Sequence, residues 1–188
     1  MFPSRSSSGT NINYTSVDYW DQRYTKEEHF EWLDQGYEPM LRLILRDIPD
    51  KCARILMLGC GSSRLSADLY EHGFHDILST DISAVCIQKQ SAKHEEDKTG
   101  LKWQVMDMSK MTYADKSFDV VIEKTALDSL LAHERSQWDV CPESQKIVRD
   151  SLHHISRVLK PGGMFLSLTF AQPHFRYCLL YTSPSPRD

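Results

Sequence analysis

The stretch Ile55–Ser66, ILMLGCGSSRLS, joins four consecutive apolar residues to a helix-like segment through two closely spaced glycines. The apolar run predicts a buried strand, and the serines after Gly61 indicate the start of a helix. Glycine in such a turn serves one of two purposes. It lets the chain turn tightly, or it keeps side chains away from a ligand that approaches the backbone. The sequence on either side predicts the fold in which this turn lies.

Strand-like and helix-like segments alternate around this turn. The predicted strands are 53–59, 75–83, 101–108, 117–125 and 164–170, and the predicted helices are 38–47, 62–73, 84–100 and 143–159. Gly73, Gly100 and the KPGG stretch at 160–163 are expected to end helices. Strands too apolar to face water, separated by helices, predict an α/β fold with a doubly wound, mostly parallel sheet and helices on both faces.

The composition is typical of a single globular domain, with 188 residues, of which 40% are hydrophobic and 26% charged. The net charge of −4 gives no reason to expect nucleic acid as a partner. No apolar run approaches the ~20 residues that span a bilayer, so no membrane partner is expected. The five cysteines form no CxxC pair, which argues against a disulfide framework and a structural metal site. We therefore expect a cytoplasmic protein.

Three predicted strands end in residues that suit a nucleoside. Gly59 and Gly61 follow the first strand, Asp81 ends the second, and Asp107 ends the third. In a doubly wound sheet, ligands bind beyond these carboxyl ends, where an acidic residue accepts hydrogen bonds from ribose hydroxyls. Each aspartate taken alone also suits a helix cap. The three together favour a nucleoside-bearing ligand, with Asp107 placed to accept from an adenine amino group.

The glycine pattern favours one class of nucleoside ligand. Arg64 stands where the GxGxxG dinucleotide fingerprint has its third glycine. A pyrophosphate favours the complete fingerprint and a helix N-terminus, whereas S-adenosylmethionine has no phosphate. The methyl donor is therefore favoured over NAD, and NAD-dependent oxidoreduction is kept as a rival interpretation. Cys60 within the turn is interpreted as a small buried residue, with a catalytic thiol as the alternative.

Whole motifs of the chain resemble those of a known family. Six motifs resemble those of seven-β-strand methyltransferases: LGCG, STDIS, MDM, FDVVIEK, LDSLL and ISRVLKPGG. VDYWDQRY near the start and AQPHFR near the end are similar to the elongation factor 1-alpha lysine methyltransferases, the family of lysine methyltransferase 4 and methyltransferase-like 13. The resemblance spans Val17 to Arg176. It implies the Rossmann-like fold of a class I methyltransferase, S-adenosylmethionine as cofactor and elongation factor 1-alpha as protein substrate.

The resemblance also implies roles for particular residues. Aromatic side chains would close over the donor, the glycine turn would approach its methionine part, and the strand-end acids and their neighbours would hold the nucleoside. The matching positions for cofactor binding are Trp20, Tyr24, Trp32, Gly59, Gly61, Asp81, Ile82, Asp107, Met108 and Lys124. A substrate amine would attack the methyl group in line, and Glu123 or Asp128 would orient it or accept its proton. Glu123 is the preferred catalytic residue, and an ion pair with Lys124 or a helix cap is its competing role.

Two features depart from the family pattern. The family commonly has Glu-Lys-Gly-Thr-Leu-Asp after the fourth strand, whereas this chain has Thr125 in place of the glycine. We expect this threonine to deny a positive φ there. The resemblance stops at Arg176, and the hairpin that supplies strands six and seven does not follow. We therefore expect a disordered tail over 1–15, a C-terminally incomplete methyltransferase domain over 16–176, and an unstructured tail over 177–188.

The sequence leaves several functions open. The same fold and donor site would serve a methyltransferase with another substrate. The missing hairpin would favour a methyltransferase-like module that binds the donor without transferring its methyl group. A zinc peptidase is excluded by motif, because neither HEEDK (94–98) nor HERSQ (133–137) has the second histidine of HExxH. The methylated residue and the oligomeric state are not predicted.

Overall fold

A computed structural model of the protein describes residues 14–96, 100–134 and 140–171. The helices are α1 (Val17–Lys26), α2 (Tyr37–Asp47), α3 (Leu65–Glu71), α4 (Ala84–Glu96), α5 (Ala126–Leu131) and α6 (Pro142–Val158). The strands are β1 (Ile55–Leu58), β2 (Ile77–Asp81), β3 (Lys102–Val105), β4 (Phe118–Lys124) and β5 (Leu159–Leu168). Two single-turn 3-10 helices cover Asp34–Gly36 and Met108–Lys110.

The strands form one parallel sheet in the order β3-β2-β1-β4-β5. The order reverses between β1 and β4, because the chain moves from β1 to β2 and β3 on one side and later crosses to β4 on the other. In such a sheet the crevice beyond the carboxyl ends at this reversal is the usual ligand site. The predicted doubly wound α/β fold is confirmed.

The alternating side chains of β1 build a hydrophobic core on each face of the sheet. Ile55 and Met57 belong to a core that includes apolar residues of α2 and α3. Leu56 and Leu58 belong to a second core that includes apolar residues of α5 and α6. Successive side chains of a strand point to opposite faces, so one apolar run supplies both cores. Each such fully buried side chain contributes about 1.5–3 kcal/mol to stability.

Several elements differ from the sequence prediction, which also assigns no helix to the residues of α1. β3 lies at the edge of the sheet with Lys102, Gln104 and Val105 exposed, so the expectation that all strands are too apolar to face water is wrong there. The KPGG stretch does not end the last helix. That helix ends at Val158, and β5 begins at Leu159, which pairs with Phe118. Helix α5 was not predicted, because its six residues are too few to show a helical period.

The ends of α3 are only partly as predicted. Neither Ser62 nor Ser63 is its N-cap residue, a position that Arg64 occupies without a side-chain bond. The Ser63 hydroxyl instead accepts a 3.2 Å hydrogen bond from the N–H of Leu65. Gly73 stops the helix as predicted, with a φ of 94° and an N–H that donates to the Tyr70 carbonyl at 3.0 Å.

Several predicted segments lie outside the described residues. These are 1–13 of the N-terminal tail, 97–99 of the predicted helix 84–100, the domain end at 172–176 and the tail 177–188. Tyr14 and Thr15, which the prediction assigns to the tail, are described, and Trp20 Nε1 donates a 2.8 Å hydrogen bond to the Tyr14 carbonyl. Among the described helices, none combines the length and the apolar character needed to span a membrane.

Candidate functional site

A cleft opens at the carboxyl ends of the central strands, beside α1 and the segment after it. The space between its walls, counted out to the open mouth, is about 990 Å³. All ten residues that the sequence predicts for cofactor binding line it: Trp20, Tyr24, Trp32, Gly59, Gly61, Asp81, Ile82, Asp107, Met108 and Lys124. The structure therefore brings them together, and their role in binding stays a prediction.

Neither glycine of the β1–α3 turn has room for a side chain. Gly59 has a φ of 59°, and a Cβ there would lie 2.5 Å from the Ala126 Cβ. Gly61 has a φ of 53°, and a Cβ there would lie 2.9 Å from the Tyr24 hydroxyl. Protein packing and a positive φ thus already require glycine at both positions. The same two residues line the cleft, and their second purpose, to keep side chains away from a ligand, stays a prediction.

Asp81 ends β2 as a buried carboxylate that fixes the glycine turn. Its Oδ2 accepts from the Gly61 N–H and its Oδ1 from the Ser83 N–H, each at 2.9 Å. Burial raises the pKa of Asp81 to about 6. Ser83 caps α4, because its hydroxyl accepts from the Cys86 N–H at 3.1 Å. Asp81 is therefore free of the helix-cap role, and each oxygen can accept a further hydrogen bond from a hydroxyl in the cleft.

Asp107 lines the cleft and also caps the 3-10 turn that follows β3. Its Oδ1 accepts from the Ser109 N–H at 2.9 Å and from the Ser109 hydroxyl at 2.7 Å, and Lys110 lies 3.1 Å from its Oδ2. Burial by itself would raise the pKa of Asp107, but the contacts with Ser109 and Lys110 lower it below its ordinary value. The capping role weighed from the sequence is confirmed, and it holds the carboxylate in its ionised form.

We call α1 together with residues 27–33 the lid. Trp20, Arg23 and Tyr24 of α1 and Glu27 directly after it line the cleft, at the spacing i, i+3, i+4 and i+7. The rings of Trp20 and Tyr24 stack with centroids 5.7 Å apart, and burial raises the pKa of Tyr24 well above its ordinary value. Arg23 and Glu27 are not among the residues predicted from the sequence, although a helix assigned to VDYWDQRYTK would have placed Arg23 on the same face as Trp20 and Tyr24, and Glu27 at its end.

A buried ion pair ties the lid to the end of β4. Lys124 Nζ donates to a Glu31 carboxylate oxygen and, at 3.0 Å, to the Trp32 carbonyl. The side chains of Lys124 and Glu31 are each 5% exposed. Burial lowers the pKa of Lys124, and the Glu31 charge opposes part of that change. Glu31 also accepts from the Ser63 hydroxyl at 3.0 Å and from the Arg64 N–H at 3.2 Å. It therefore connects the lid to two other parts of the cleft wall.

The two carboxylates predicted to handle the substrate amine lie outside the lining of the cleft. Glu123 is fully buried, and its oxygens accept from the Leu127 N–H at 3.1 Å and from the Ser167 hydroxyl. Asp128 accepts from the Thr169 hydroxyl at 2.6 Å and from the Phe170 N–H at 3.0 Å. The Leu127 bond matches the competing role of Glu123 as a helix cap, and its catalytic role stays a prediction.

Thr125 corrects an expectation drawn from the sequence. It has a φ of 62° and is the N-cap residue of α5, so the expectation that threonine denies a positive φ here is wrong. The Thr125 N–H donates a 2.7 Å hydrogen bond to the Leu168 carbonyl at the end of β5. This bond and the start of α5 hold the backbone in a conformation that a β-branched residue rarely adopts.

The cysteine of the glycine turn is placed as interpreted from the sequence. Cys60 is 6% exposed, and a hydrogen bond with Cys86, then burial, raises the pKa of its thiol well above the ordinary value. A thiol held in its neutral form is a poor nucleophile. Sulfur and carboxylate atoms of Cys60, Asp81 and Cys86 lie within 4.8 Å of one another, and Asp81 there already accepts two backbone hydrogen bonds.

Several known proteins that resemble this chain are described as methyltransferases. The family described as methyltransferase domain matches residues 56–167. The chain is 40% identical over 171 residues to EEF1A lysine methyltransferase 4 of Bos taurus, covering 88% of this chain and 65% of that protein. It is 34% identical over 173 residues to the eEF1A lysine and N-terminal methyltransferase homolog of Drosophila melanogaster, covering 91% of this chain and 24% of that protein. The chain thus spans less than two thirds of these relatives.

A solved structure supports the fold independently. A SAM-dependent methyltransferase from Methanosarcina mazei superposes with a TM-score of 0.57 at 22% sequence identity, covering 71% of this chain and 62% of that one. At this level of identity the likeness demonstrates a shared fold. The reaction and the substrate have to be argued from the site itself.

Proposed function

The chain belongs to the methyltransferase-domain family, and from this premise we propose that it is an S-adenosylmethionine-dependent methyltransferase that acts on a lysine of elongation factor 1-alpha. The resemblance read from the motifs is confirmed by the family match and by the 40% identical relative. One observation carries the proposal: the glycine turn, Asp81 and Asp107 converge on a single cleft at the reversal of strand order. The lysine substrate is inferred from the relatives.

The residues of the cleft fit an adenosine-bearing donor without phosphates. Asp81 has acceptor capacity for ribose hydroxyls, and Asp107 for an adenine amino group. Ile82 and Met108 add apolar surface to the same wall. Gly59 and Gly61 belong to the same lining. When bound, S-adenosylmethionine supplies a methyl group on a positively charged sulfur. An amine can take this methyl group, with the sulfur as the leaving group.

The remaining work of the protein is positioning and exclusion of water. The aromatic rings of Trp20 and Trp32 line the cleft and would exclude water from a bound donor. A lysine amine attacks only in its neutral form, and burial favours that form by penalising the charged one. The cleft already does this to Lys124, whose pKa burial lowers. An acceptor lysine that enters the same surroundings meets the same effect.

The proposal is tested by binding and by product analysis. The purified chain is titrated calorimetrically with S-adenosylmethionine and S-adenosylhomocysteine, and purified elongation factor 1-alpha is examined by mass spectrometry after incubation with chain and donor. Asp81→Ala should abolish measurable binding, because it removes both the ribose acceptor and the anchor of Gly61. Asp76→Ala is the matched control, since Asp76 pairs with Arg54 and Lys102 next to the opposite end of β2. A folded chain that binds neither donor nor product would overturn the proposal.

A second candidate is favoured by the placement of the two carboxylates. Glu123 and Asp128 both accept bonds that stabilise the β4–α5–β5 region and do not line the cleft. A domain that binds the donor without transferring its methyl group would have this arrangement. Micromolar donor binding together with unmodified elongation factor 1-alpha, and with an unmodified lysate of mixed proteins, would select this candidate.

A further inference from the structure

Arg23 is a cation in the wall of the cleft with no part in the function proposed so far. Its side chain is 19% exposed. The guanidinium carbon lies 5.6 Å from the ring centroid of Trp20, 5.2 Å from that of Phe30 and 5.1 Å from that of Trp32. Three aromatic contacts at this range hold a guanidinium in place and shield it from water. Arg23 is therefore a fixed and partly desolvated positive charge.

The hydrogen bonds of Arg23 leave much of its donor capacity unused. Its Nε donates to Glu27 Oε2 at 2.7 Å. The two other contacts, from Nη2 to Glu27 Oε1 and from Nη1 to the Tyr19 hydroxyl, are both 3.5 Å long. A guanidinium has five N–H donors, and contacts of that length are weak. The outer nitrogens keep the planar fork with which arginine binds a carboxylate.

The other cation of the described cleft wall is already engaged. Lys124 donates to Glu31 and to the Trp32 carbonyl, and its side chain is only 5% exposed. A new anion near this end of the cleft would have to compete with the Glu31 carboxylate for that ammonium. Arg23 binds its partner Glu27 through Nε, and its outer nitrogens make only weak contacts. Arg23 is therefore a better anion-binding group than Lys124.

The position of the Arg23 guanidinium matches one end of the expected ligand. It contacts the ring of Trp32, whose carbonyl accepts from Lys124 at the end of β4. Asp81 and Asp107 follow β2 and β3, which lie on the other side of β1. The nucleoside acceptors thus lie on the β2–β3 side of the cleft, whereas the guanidinium contacts a lid residue that is bonded to its β4 side.

We propose that Arg23 binds the carboxylate of the amino-acid part of the donor, with Glu27 as the residue that positions it. The assignment rests on the proposed function, because it presumes a ligand with adenosine at one end and an amino acid at the other. A bidentate arginine–carboxylate pair fixes direction as well as distance. The donor would be held at both ends, which sets the place of the sulfur between them.

The experiment compares two ligands that differ only in the carboxylate. S-adenosylhomocysteine and its decarboxylated analogue are titrated calorimetrically into the wild-type chain, Arg23→Gln and Arg23→Lys. Arg23→Gln should weaken S-adenosylhomocysteine by about 10- to 100-fold, the range for a lost hydrogen bond to a charged group, and the analogue by less than about threefold. Arg23→Lys keeps the charge but not the planar fork, so its affinity for S-adenosylhomocysteine should lie between those of the wild type and Arg23→Gln. Arg42→Gln, at an exposed position of α2, should change neither affinity.

The outcomes separate this assignment from the proposed function. Equal weakening of both ligands by Arg23→Gln would mean a structural role and would overturn the assignment, as would no weakening of either. If Arg23→Gln does not fold by circular dichroism, Arg23→Lys decides, because equal losses for both ligands would again overturn it. A folded wild-type chain that binds neither ligand would overturn the proposed function, and this assignment with it. If the wild-type chain binds both ligands and Arg23→Gln causes no selective loss of S-adenosylhomocysteine, the assignment is overturned and the proposed function is not.

Discussion

The cleft has two walls that are built in different ways. We call Gly59, Gly61, Asp81 and Asp107 the floor, since they lie at or just after the carboxyl ends of the strands. Backbone hydrogen bonds of the sheet surround the floor, including Cys60 N–H to the Thr80 carbonyl and Met106 N–H to the Asp81 carbonyl, both at 2.9 Å. The lid is joined to the rest of the cleft by side chains, above all through Glu31. The floor is thus shaped by the fold itself, whereas the lid depends on a few polar contacts.

This difference should separate the two walls energetically. Segments held by few side-chain contacts open at a lower free energy than strands in the middle of a sheet. A change in the floor should therefore affect folding and ligand binding together, and a change in the lid should affect binding more than folding. The following substitutions test that separation.

Gly59→Ala should have the largest effect and should damage the floor. The new Cβ would lie 2.5 Å from the Ala126 Cβ in a backbone with a φ of 59°. A backbone strain of about 1–2 kcal/mol and overpacking of about 1–3 kcal/mol predict a loss of about 2–5 kcal/mol in the free energy of unfolding. Denaturant unfolding and donor titration measure the two effects.

A matched glycine and a compensating change control this result. Gly36→Ala adds a Cβ with no atom within 4 Å and should cost no more than about 1 kcal/mol as an N-cap change. Adding Ala126→Gly to Gly59→Ala should recover the overpacking part. Equal losses at Gly36 and Gly59 would contradict the packing argument.

Glu31→Gln should have the next largest effect and should loosen the lid. It leaves the ammonium of Lys124 buried without its counter-charge, and breaking a buried ion pair costs about 3–5 kcal/mol. Much of this cost can be avoided if the lid opens, so donor affinity should fall by about tenfold or more while global unfolding changes less. Calorimetry and hydrogen exchange of residues 20–33 measure these effects.

The partner substitution sharpens the test of the lid. Glu31→Gln combined with Lys124→Met removes both charges and should recover part of the protection of the lid from exchange. Protection that is unchanged in Glu31→Gln would show that the ion pair does not hold the lid closed.

Lowering the pH should have a moderate effect through Asp81. Its pKa of about 6 in the folded protein exceeds the usual value of about 3.9 for an unfolded chain. Protonation therefore adds stability that is fully present below about pH 3.9 and lost as the pH rises through 6. Binding should respond in the opposite sense, because the ionised form is the better acceptor for ribose. If the protonated form does not bind, affinity falls about fourfold from pH 7.5 to 5.5.

The matching variant separates Asp81 from other titrating groups. Asp81→Asn should bind the donor more weakly and show a flat profile between pH 7.5 and 5.5. A wild-type affinity that stays constant over this interval would contradict the assignment of Asp81 as the ribose acceptor.

Thr125→Gly should have the smallest effect. It relieves a positive φ of 62°, worth about 1–2 kcal/mol, and adds about 0.5–1 kcal/mol of entropy to the unfolded chain. The free energy of unfolding should rise by about 1 kcal/mol or less, with donor affinity within about twofold of wild type. Thr125→Val keeps the shape and the strain and should leave stability nearer to wild type. A clear loss of stability in Thr125→Gly would mean that the threonine side chain supports the turn.

The fold and the floor could be predicted because their signals are local. The apolar run before Gly59 and the spacing from Gly61 to Asp81 are readable in one sequence, and both give the right place in the sheet. The lid was readable only in part. Glu31 and Lys124 are 93 residues apart, and no local pattern indicates that their side chains meet.

The side-chain direction of Glu123 could have been predicted from the alternation of β4. Val121 packs in the core that includes α5 and α6, and Ile122 packs in the opposite one. By the alternation of a strand, Glu123 returns to the side of Val121 and of α5, where it meets Leu127. The alternation of side chains along β4 therefore indicates which way Glu123 points. Its position near a strand end does not. The cytoplasmic location stays a prediction, because no described contact bears on it.

The crowding of aromatic rings around Arg23 has an optical consequence. The lid carries Trp20 and Trp32, two of the four tryptophans of the chain, each within 6 Å of the guanidinium carbon. Indole emission changes in colour and intensity with the charge and the water beside the ring. Trp103 stacks on His94 at β3, the edge strand of the sheet. The protein thus carries its own fluorophores at the mouth of the cleft, and the state of the lid can be followed without a label.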